Sequence, residues 1–124
     1  MSYAIFLDDT RDPPGRMHGE HTKIRIARSF EQFNVLLMRY GCPRFISFDY
    51  DLGPVDVNPS GVACAKLLIE LVLDNYLALP DDFAFAVHSM NPDGAARINS
   101  SMHSALEHLA AGRYGDARKL LKGS

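Results

Sequence analysis

The sequence predicts an α/β domain in which a mostly parallel sheet of four strands lies between layers of helix, a three-layer sandwich. Two observations carry the architecture. Residues 4–7 and 44–49 hold short apolar runs that each stop abruptly in aspartates, the pattern of strands buried on both faces. Stretches with apolar residues at helical spacing alternate with such runs, as they do where crossover helices join parallel strands. A third observation sets the scale. The chain has 124 residues, 47% of them hydrophobic, which is about the size of one domain and enough to enclose a core, so residues 1–124 are expected to fold as a single unit.

Strand one is residues 4–7, closed by Asp8 and Asp9. Residues 10–22 carry Pro13, Pro14, Gly15 and Gly19 among charged side chains and should form an irregular loop, and loops of that length are often functional. Residues 23–27 alternate charged and apolar, as a half-exposed second strand would. Ser29 then opens a helix, with Gln32 placed three residues on as a capping box. Phe30, Phe33, Leu37 and Tyr40 mark its buried face, and Gly41 and Pro43 stop it. Phe45, Ile46 and Phe48 make a third strand that again runs into acids, Asp49 and Asp51. After a Gly/Pro/Asn loop, Ser60 caps a helix expected to reach about Leu77, with Lys66, Glu70 and Asp74 as a narrow polar stripe. So wide an apolar face implies burial on the sheet, in preference to a dimer surface. A turn at 80–82 leads to a fourth strand, 83–87. Asn91 and Pro92 supply the N-cap and first position of another helix, lined by Ile98, Met102, Ala105 and Leu109 and expected to end at Gly112. The basic tail, 113–124, has the pattern of one more short helix.

Composition excludes several classes. Thirteen basic residues nearly balance 15 acidic ones, so the molecule has no field suited to generic DNA or polyanion binding, though nucleic acid remains open as a local substrate. Cys42 and Cys64 fit neither a zinc spacing nor a disulfide framework; they read as small buried hydrophobes in a reduced cytoplasm. The apolar run at 3–7 is too short for a signal-peptide core, and Lys66, Glu70 and Asp74 interrupt the most apolar stretch, so no membrane span is expected.

The polar residues fall where chemistry is expected. Ligands of helix-covered parallel sheets bind outside the carboxyl ends of the strands. Asp8 and Asp9 end strand one, Asp49 and Asp51 end strand three, and His88 with Ser89 ends strand four just before a helix. Four carboxylates meeting there would repel one another unless a cation neutralised them, and hard oxygen ligands favour magnesium or manganese, with calcium also suited. For any single aspartate, a solvated strand end is the simpler reading; two clusters together favour the metal. His88, facing those acids and followed by Ser89 and Asn91, is a candidate substrate contact, the ordinary alternative being a hydrogen-bonded structural histidine. Backbone N–H groups at Asp93 and Gly94 open the next helix and suit a phosphate oxygen, with Gly94 permitting close approach or serving only as a tolerated helix-start glycine. Arg11 suits either a phosphate or a loop carboxylate. His18, His21, His103 and His108 read as surface residues.

An acid pair after strand one, an aspartate after strand three and small polar residues after strand four resemble the receiver domain of response regulators. The segments Leu7-Asp8-Asp9-Thr10-Arg11 with Pro13-Pro14-Gly15, Ser47-Phe48-Asp49-Tyr50-Asp51-Leu52-Gly53, and Val87-His88-Ser89-Met90-Asn91-Pro92 with Gly94 more closely resemble the cyclic-phosphate processing receiver domain family. The resemblance implies a receiver-like (flavodoxin-like) fold with strand order 2-1-3-4, reduced from the five strands of a full receiver. It implies Asp8, Asp9 and Asp49 as metal ligands, Asp49 at the position that receivers phosphorylate, and Asp51 where a backbone ligand usually lies. His88 stands near the position of the receiver's switching hydroxyl residue, and the partner lysine has no fifth strand to carry it, since Lys119 and Lys122 lie in the tail. The pattern therefore suits hydrolysis or binding of a phosphate ester better than a phospho-aspartate switch. The family name implies cyclic phosphates, such as a ribose 2′,3′-cyclic phosphate, so the expected partner is a phosphate-containing small molecule or an RNA end. The expected activity is that of a metal-dependent phosphoesterase, with His88, Asp51 and Arg11 catalytic and Arg11, Ser89, Asn91 and Gly94 binding substrate. The alternative is a non-catalytic module that binds a phosphate ligand or a partner protein through the same edge; a pure interaction protein would leave the acidic pocket without a purpose.

Overall fold

The computed structural model describes residues 3–14, 23–53 and 60–121, with side chains through residue 110. The elements run β1 (Tyr3–Leu7), β2 (Lys23–Ala27), α1 (Phe30–Tyr40), β3 (Phe45–Phe48), α2 (Gly61–Leu73), β4 (Ala84–Val87) and α3 (Pro92–Leu121). The four strands form one all-parallel sheet in the order β2-β1-β3-β4, as expected of a receiver-like fold. β1 is central and buried along its whole length, which explains its unbroken apolar sequence. Residues 10–14 are irregular, as predicted; residues 15–22 and 54–59, with His18 and His21, lie outside the described residues.

The alternation of β1 sorts the core into two clusters. Tyr3, Ile5 and Leu7 join Ile46 and Phe48 on one face, where Phe33 and Leu37 of α1, Val62, Cys64, Ala65 and Leu68 of α2, and Ile98 and Met102 of α3 all pack. The three helices share one face, with α2 against both neighbours, so among the described residues the expected three-layer sandwich is two layers, and the wide apolar side of α2 is ordinary core. Each fully buried Leu, Ile or Phe contributes about 1.5–3 kcal/mol by leaving water. Ala4 and Phe6 belong to the opposite face, with Ile24 and Phe45 beside them. Burial pushes the thiols of Cys42 and Cys64 up to about 12, which keeps them protonated and inert.

Several local expectations shift. Gln32 N–H does donate to Ser29 Oγ at 3.2 Å, but the Gln32 side chain accepts from Arg28 N, one residue before the cap. Tyr40, expected in the core, is 40% exposed beneath the Arg25 guanidinium at 3.8 Å. α2 stops at Leu73 rather than near Leu77, because Asn75 takes φ 63°. Asn75 N then donates to Val72 O and Tyr76 N to Leu71 O, a Schellman stop in which asparagine replaces the usual glycine. Gly112 does not end α3, which continues to Leu121. A helix-interior glycine costs about 1 kcal/mol relative to alanine, and Leu109, Ala110, Ala111 and Arg113, which flank it, are good helix formers. Among the described residues no helix is long and apolar enough to cross a membrane.

Candidate functional site

The site follows from strand register. Leu7 pairs with Phe48, and Phe48 with Val87, so the next residues in β1, β3 and β4 stand in a row. Those residues are Asp8, Asp49 and His88. Their amides extend the ladder by one rung: Asp8 N donates to Ala27 O at 3.1 Å, Asp49 N to Leu7 O at 3.0 Å and His88 N to Phe48 O at 2.9 Å. Adjacent strands lie about 4.8 Å apart, so three neighbouring strand ends deliver three side chains to one place. One ligand atom from each of Asp8, Asp49 and His88 lies within 4.8 Å of the other two. By alternation they continue the face of Ala4, Phe6 and Ser47, away from the three helices.

Asp8 is fully buried and fully engaged. Its Oδ1 accepts from the backbone N–H of Thr10 (3.0 Å) and Arg11 (2.8 Å); its Oδ2 accepts from Arg11 Nε (2.8 Å) and meets His88 Nε2 at 3.0 Å. Burial pushes the Asp8 carboxyl up. The N–H groups of Arg11 and Thr10, the His88 side chain and the Arg11 charge outweigh that and hold it below the usual carboxylate range. Asp49, also buried, moves the other way. Burial and the neighbouring Asp8 charge raise it, against the opposing influence of His88 and Arg11. Among the described residues Asp49 meets the Arg11 guanidinium, at Nη2, only at 3.7 Å.

The imidazole of His88 is held from three sides. Its ring stacks on Phe6 with centroids 4.5 Å apart and planes 7° apart, and Ser47 Oγ lies 2.6 Å from Nδ1. An ionised Asp8 can only accept, so Nε2 carries the proton in that bond, and on a neutral ring Nδ1 then accepts from the Ser47 hydroxyl. Nε2 is the nitrogen turned toward the acids. Sequence reasoning missed Ser47 and Phe6; the signal was parity, since both precede site residues by two on adjacent strands. It also missed Arg28, whose guanidinium donates to the carbonyls of Asp8 (3.3 Å) and Arg11 and pairs with Asp12 at 2.6 Å, fixing the loop after β1.

Other expected site residues are placed differently. Asp9 is half-buried and outside the three-residue group, and Asp51 is exposed. Arg11, open between phosphate and carboxylate on sequence, pairs with carboxylate. Ser89 Oγ accepts from Asn91 N at 3.1 Å, leaving its hydroxyl hydrogen to donate, and Asn91 Oδ1 accepts from Gly94 N at 3.0 Å as the N-cap of α3. That bond occupies the Gly94 N–H which a phosphate was expected to take. The space beside Gly94 is also filled, since a Cβ there would stand 1.9 Å from Tyr50 Cδ1. Gly94 therefore admits the Tyr50 ring instead of a ligand. Gly61 plays a similar part at α2, where a Cβ would meet Asp49 O at 1.9 Å.

The donor set suits a divalent cation. Metal–oxygen and metal–nitrogen distances of about 2.0–2.2 Å place ligands of one ion up to about 4.4 Å apart, comparable with the spacing found here. Buried Asp49, with the 3.7 Å contact to Arg11, has capacity for a closer cation. Two carboxylates suit magnesium, manganese and calcium.

No curated protein matches the chain. A solved chain described as a yeast Spc42 trimeric coiled-coil segment fused to another structure is 14% identical, with 98% of this chain and 92% of that one covered at a TM-score of 0.49, a likeness too slight to carry argument. The model of the cyclic-phosphate processing receiver domain matches residues 3–104, a span that contains all four strands and every residue of the site. With that match over most of its length, the chain belongs to the cyclic-phosphate processing receiver domain family.

Proposed function

We propose that the protein is a metal-dependent phosphoesterase acting on cyclic or terminal phosphates of nucleotides or RNA ends. The observation that carries this reading is the convergence of Asp8, Asp49, His88 and Arg11 at three adjacent strand ends. Asp8 and Asp49 would hold magnesium or manganese. The bound cation supplies charge stabilisation at a phosphoryl oxygen and a lowered pKa for its water. Asp51, exposed two residues after Asp49, would orient the attacking water and take its proton as the new P–O bond forms. The bond from phosphorus to one ribose oxygen would break, and His88, entering the step as the imidazolium, would deliver its Nε2 proton to that oxygen and leave it neutral with the remaining proton on Nδ1. Ser47 and Phe6 fix the imidazole so that Nε2, not Nδ1, faces the reaction. Arg11 would support the developing charge on the phosphoryl oxygens, and the Ser89 hydroxyl, whose oxygen accepts from Asn91 N, would donate its hydrogen to one of them.

The test is turnover of ribose 2′,3′-cyclic phosphates across a nucleotide and RNA-end series, with manganese and then with chelator. His88→Ala should lower turnover by about 10²–10⁴-fold while leaving manganese affinity within about two-fold of the parent, since general acid–base groups contribute on that scale. Asp49→Asn should reduce both. Absence of turnover throughout, with ligand binding retained, would assign the site to a non-catalytic phosphate-binding module. Loss of manganese binding in His88→Ala would make the imidazole a ligand rather than an acid.

A further inference from the structure

We infer that the Arg11 guanidinium is a tethered cation that occupies the Asp8–Asp49 pair until a phosphate group draws it away, so that phosphate binding opens the site to a divalent metal. The inference rests on the metal site proposed above and concerns how that site is filled. Two carboxylates whose side chains are 0% and 8% exposed stand side by side, and buried charges of one sign require a counter-charge. The guanidinium provides one. Its Nε lies 2.8 Å from Asp8 Oδ2, its Nη2 lies 3.7 Å from Asp49 Oδ2, and Nη2 also reaches His88 O at 3.4 Å, so it spans all three strand ends. A metal ion bound between Asp8 and Asp49 would compete with the guanidinium for the same two carboxylates, and two cations that close repel.

The way out for Arg11 is built in. Its backbone is anchored, because its N–H donates to Asp8 Oδ1 and its carbonyl accepts from Arg28, which also holds Asp8 O and Asp12. Its side chain is 45% exposed, so the guanidinium reaches solvent by side-chain rotation with the loop unmoved. A phosphate is the ligand suited to trigger this, since the planar fork pairs with two phosphate oxygens. Whatever phosphate does for metal affinity, metal must do equally for phosphate affinity.

The test is manganese binding by the full chain, read as free manganese by electron paramagnetic resonance, with and without inorganic phosphate and with a protein-free blank at each phosphate level. Arg11→Gln should bind manganese about ten-fold more tightly than the parent in the absence of phosphate, within the usual range of coupling between sites. Phosphate should raise the parent's manganese affinity by a similar factor and that of Arg11→Gln by less than about two-fold. Arg11→Lys, which keeps the charge, should remain near the parent without phosphate. Equal manganese affinity in the parent and Arg11→Gln would overturn the inference and leave the metal site standing. A parent indifferent to phosphate would overturn the coupling. No manganese binding by either protein would overturn the inference together with the metal reading.

Discussion

Asp8 and Asp49 occupy equivalent places on neighbouring strands, yet their surroundings push their proton affinities apart. Asp8 is held below the ordinary range, so its contribution to stability is present above the ordinary carboxylate pKa and is lost as pH falls through the lower folded value. Asp49 is raised, so its folded form favours the proton; that stability is full below the ordinary pKa and is lost as pH rises through the raised value. In chelator at neutral pH, Asp49→Asn should therefore raise the melting temperature. Asp8→Asn should lower it, at a cost of about 1.5–3 kcal/mol for losing hydrogen bonds to a charged group. A melting series from acid to neutral pH checks both, and a fall in both variants at neutral pH would contradict the assignment. The identity of the acids was legible because each apolar run ends in them. Which member of each pair turns inward was not: the ladder runs one residue past Leu7 and Phe48, to Asp8 and Asp49, and no further, so neither Asp9 nor Asp51 inherits a side from it.

At the scale of elements, caps and close approaches set where the helices meet the site. Ser29, Asn91 and Pro92 are readable in sequence because capping depends on local residue types, and the structure uses all three. The end of α2 was misjudged because Asn75 in a left-handed conformation is a weaker signal than glycine, and the end of α3 because Gly112 is a stronger signal than its cost warrants. Gly61 and Gly94 look like ordinary helix-start glycines, and only the fold reveals what approaches them. Gly94→Ala would drive a methyl group into the Tyr50 ring and should cost about 1–3 kcal/mol, the usual range for overpacking. Urea denaturation of Gly94→Ala, Tyr50→Ala and the double variant tests the contact. The double variant should be no less stable than Tyr50→Ala alone, whereas additive losses would mean that the glycine serves something other than the ring.

For the whole molecule, the sheet order was legible through the family resemblance and the parallel register through the strand–helix alternation, and together they place Asp8, Asp49 and His88 in one row. Ser47 against His88 was not legible, because order and register put both on one face but leave open that the imidazole turns back across β3 to the hydroxyl. A metal held across β1 and β3 also ties together strands that are distant in sequence, and in the unfolded chain Asp8 and Asp49 do not meet. A cation bound only by the native state stabilises it by mass action, about 2.7 kcal/mol at a hundred times its dissociation constant. For a chain of this size that is a rise in melting temperature of roughly 10 °C. The sequence expectation names Asp9 as a ligand, while the structure leaves it outside the Asp8, Asp49 and His88 group. Thermal melts with manganese and with chelator separate the two: Asp9→Asn should keep most of the manganese-dependent rise and Asp49→Asn should lose it. If Asp9→Asn abolished the rise and Asp49→Asn retained it, the cation would sit on the acid pair of β1 instead of across the strand ends. An unchanged midpoint in the parent at saturating manganese would remove the cation from the site altogether.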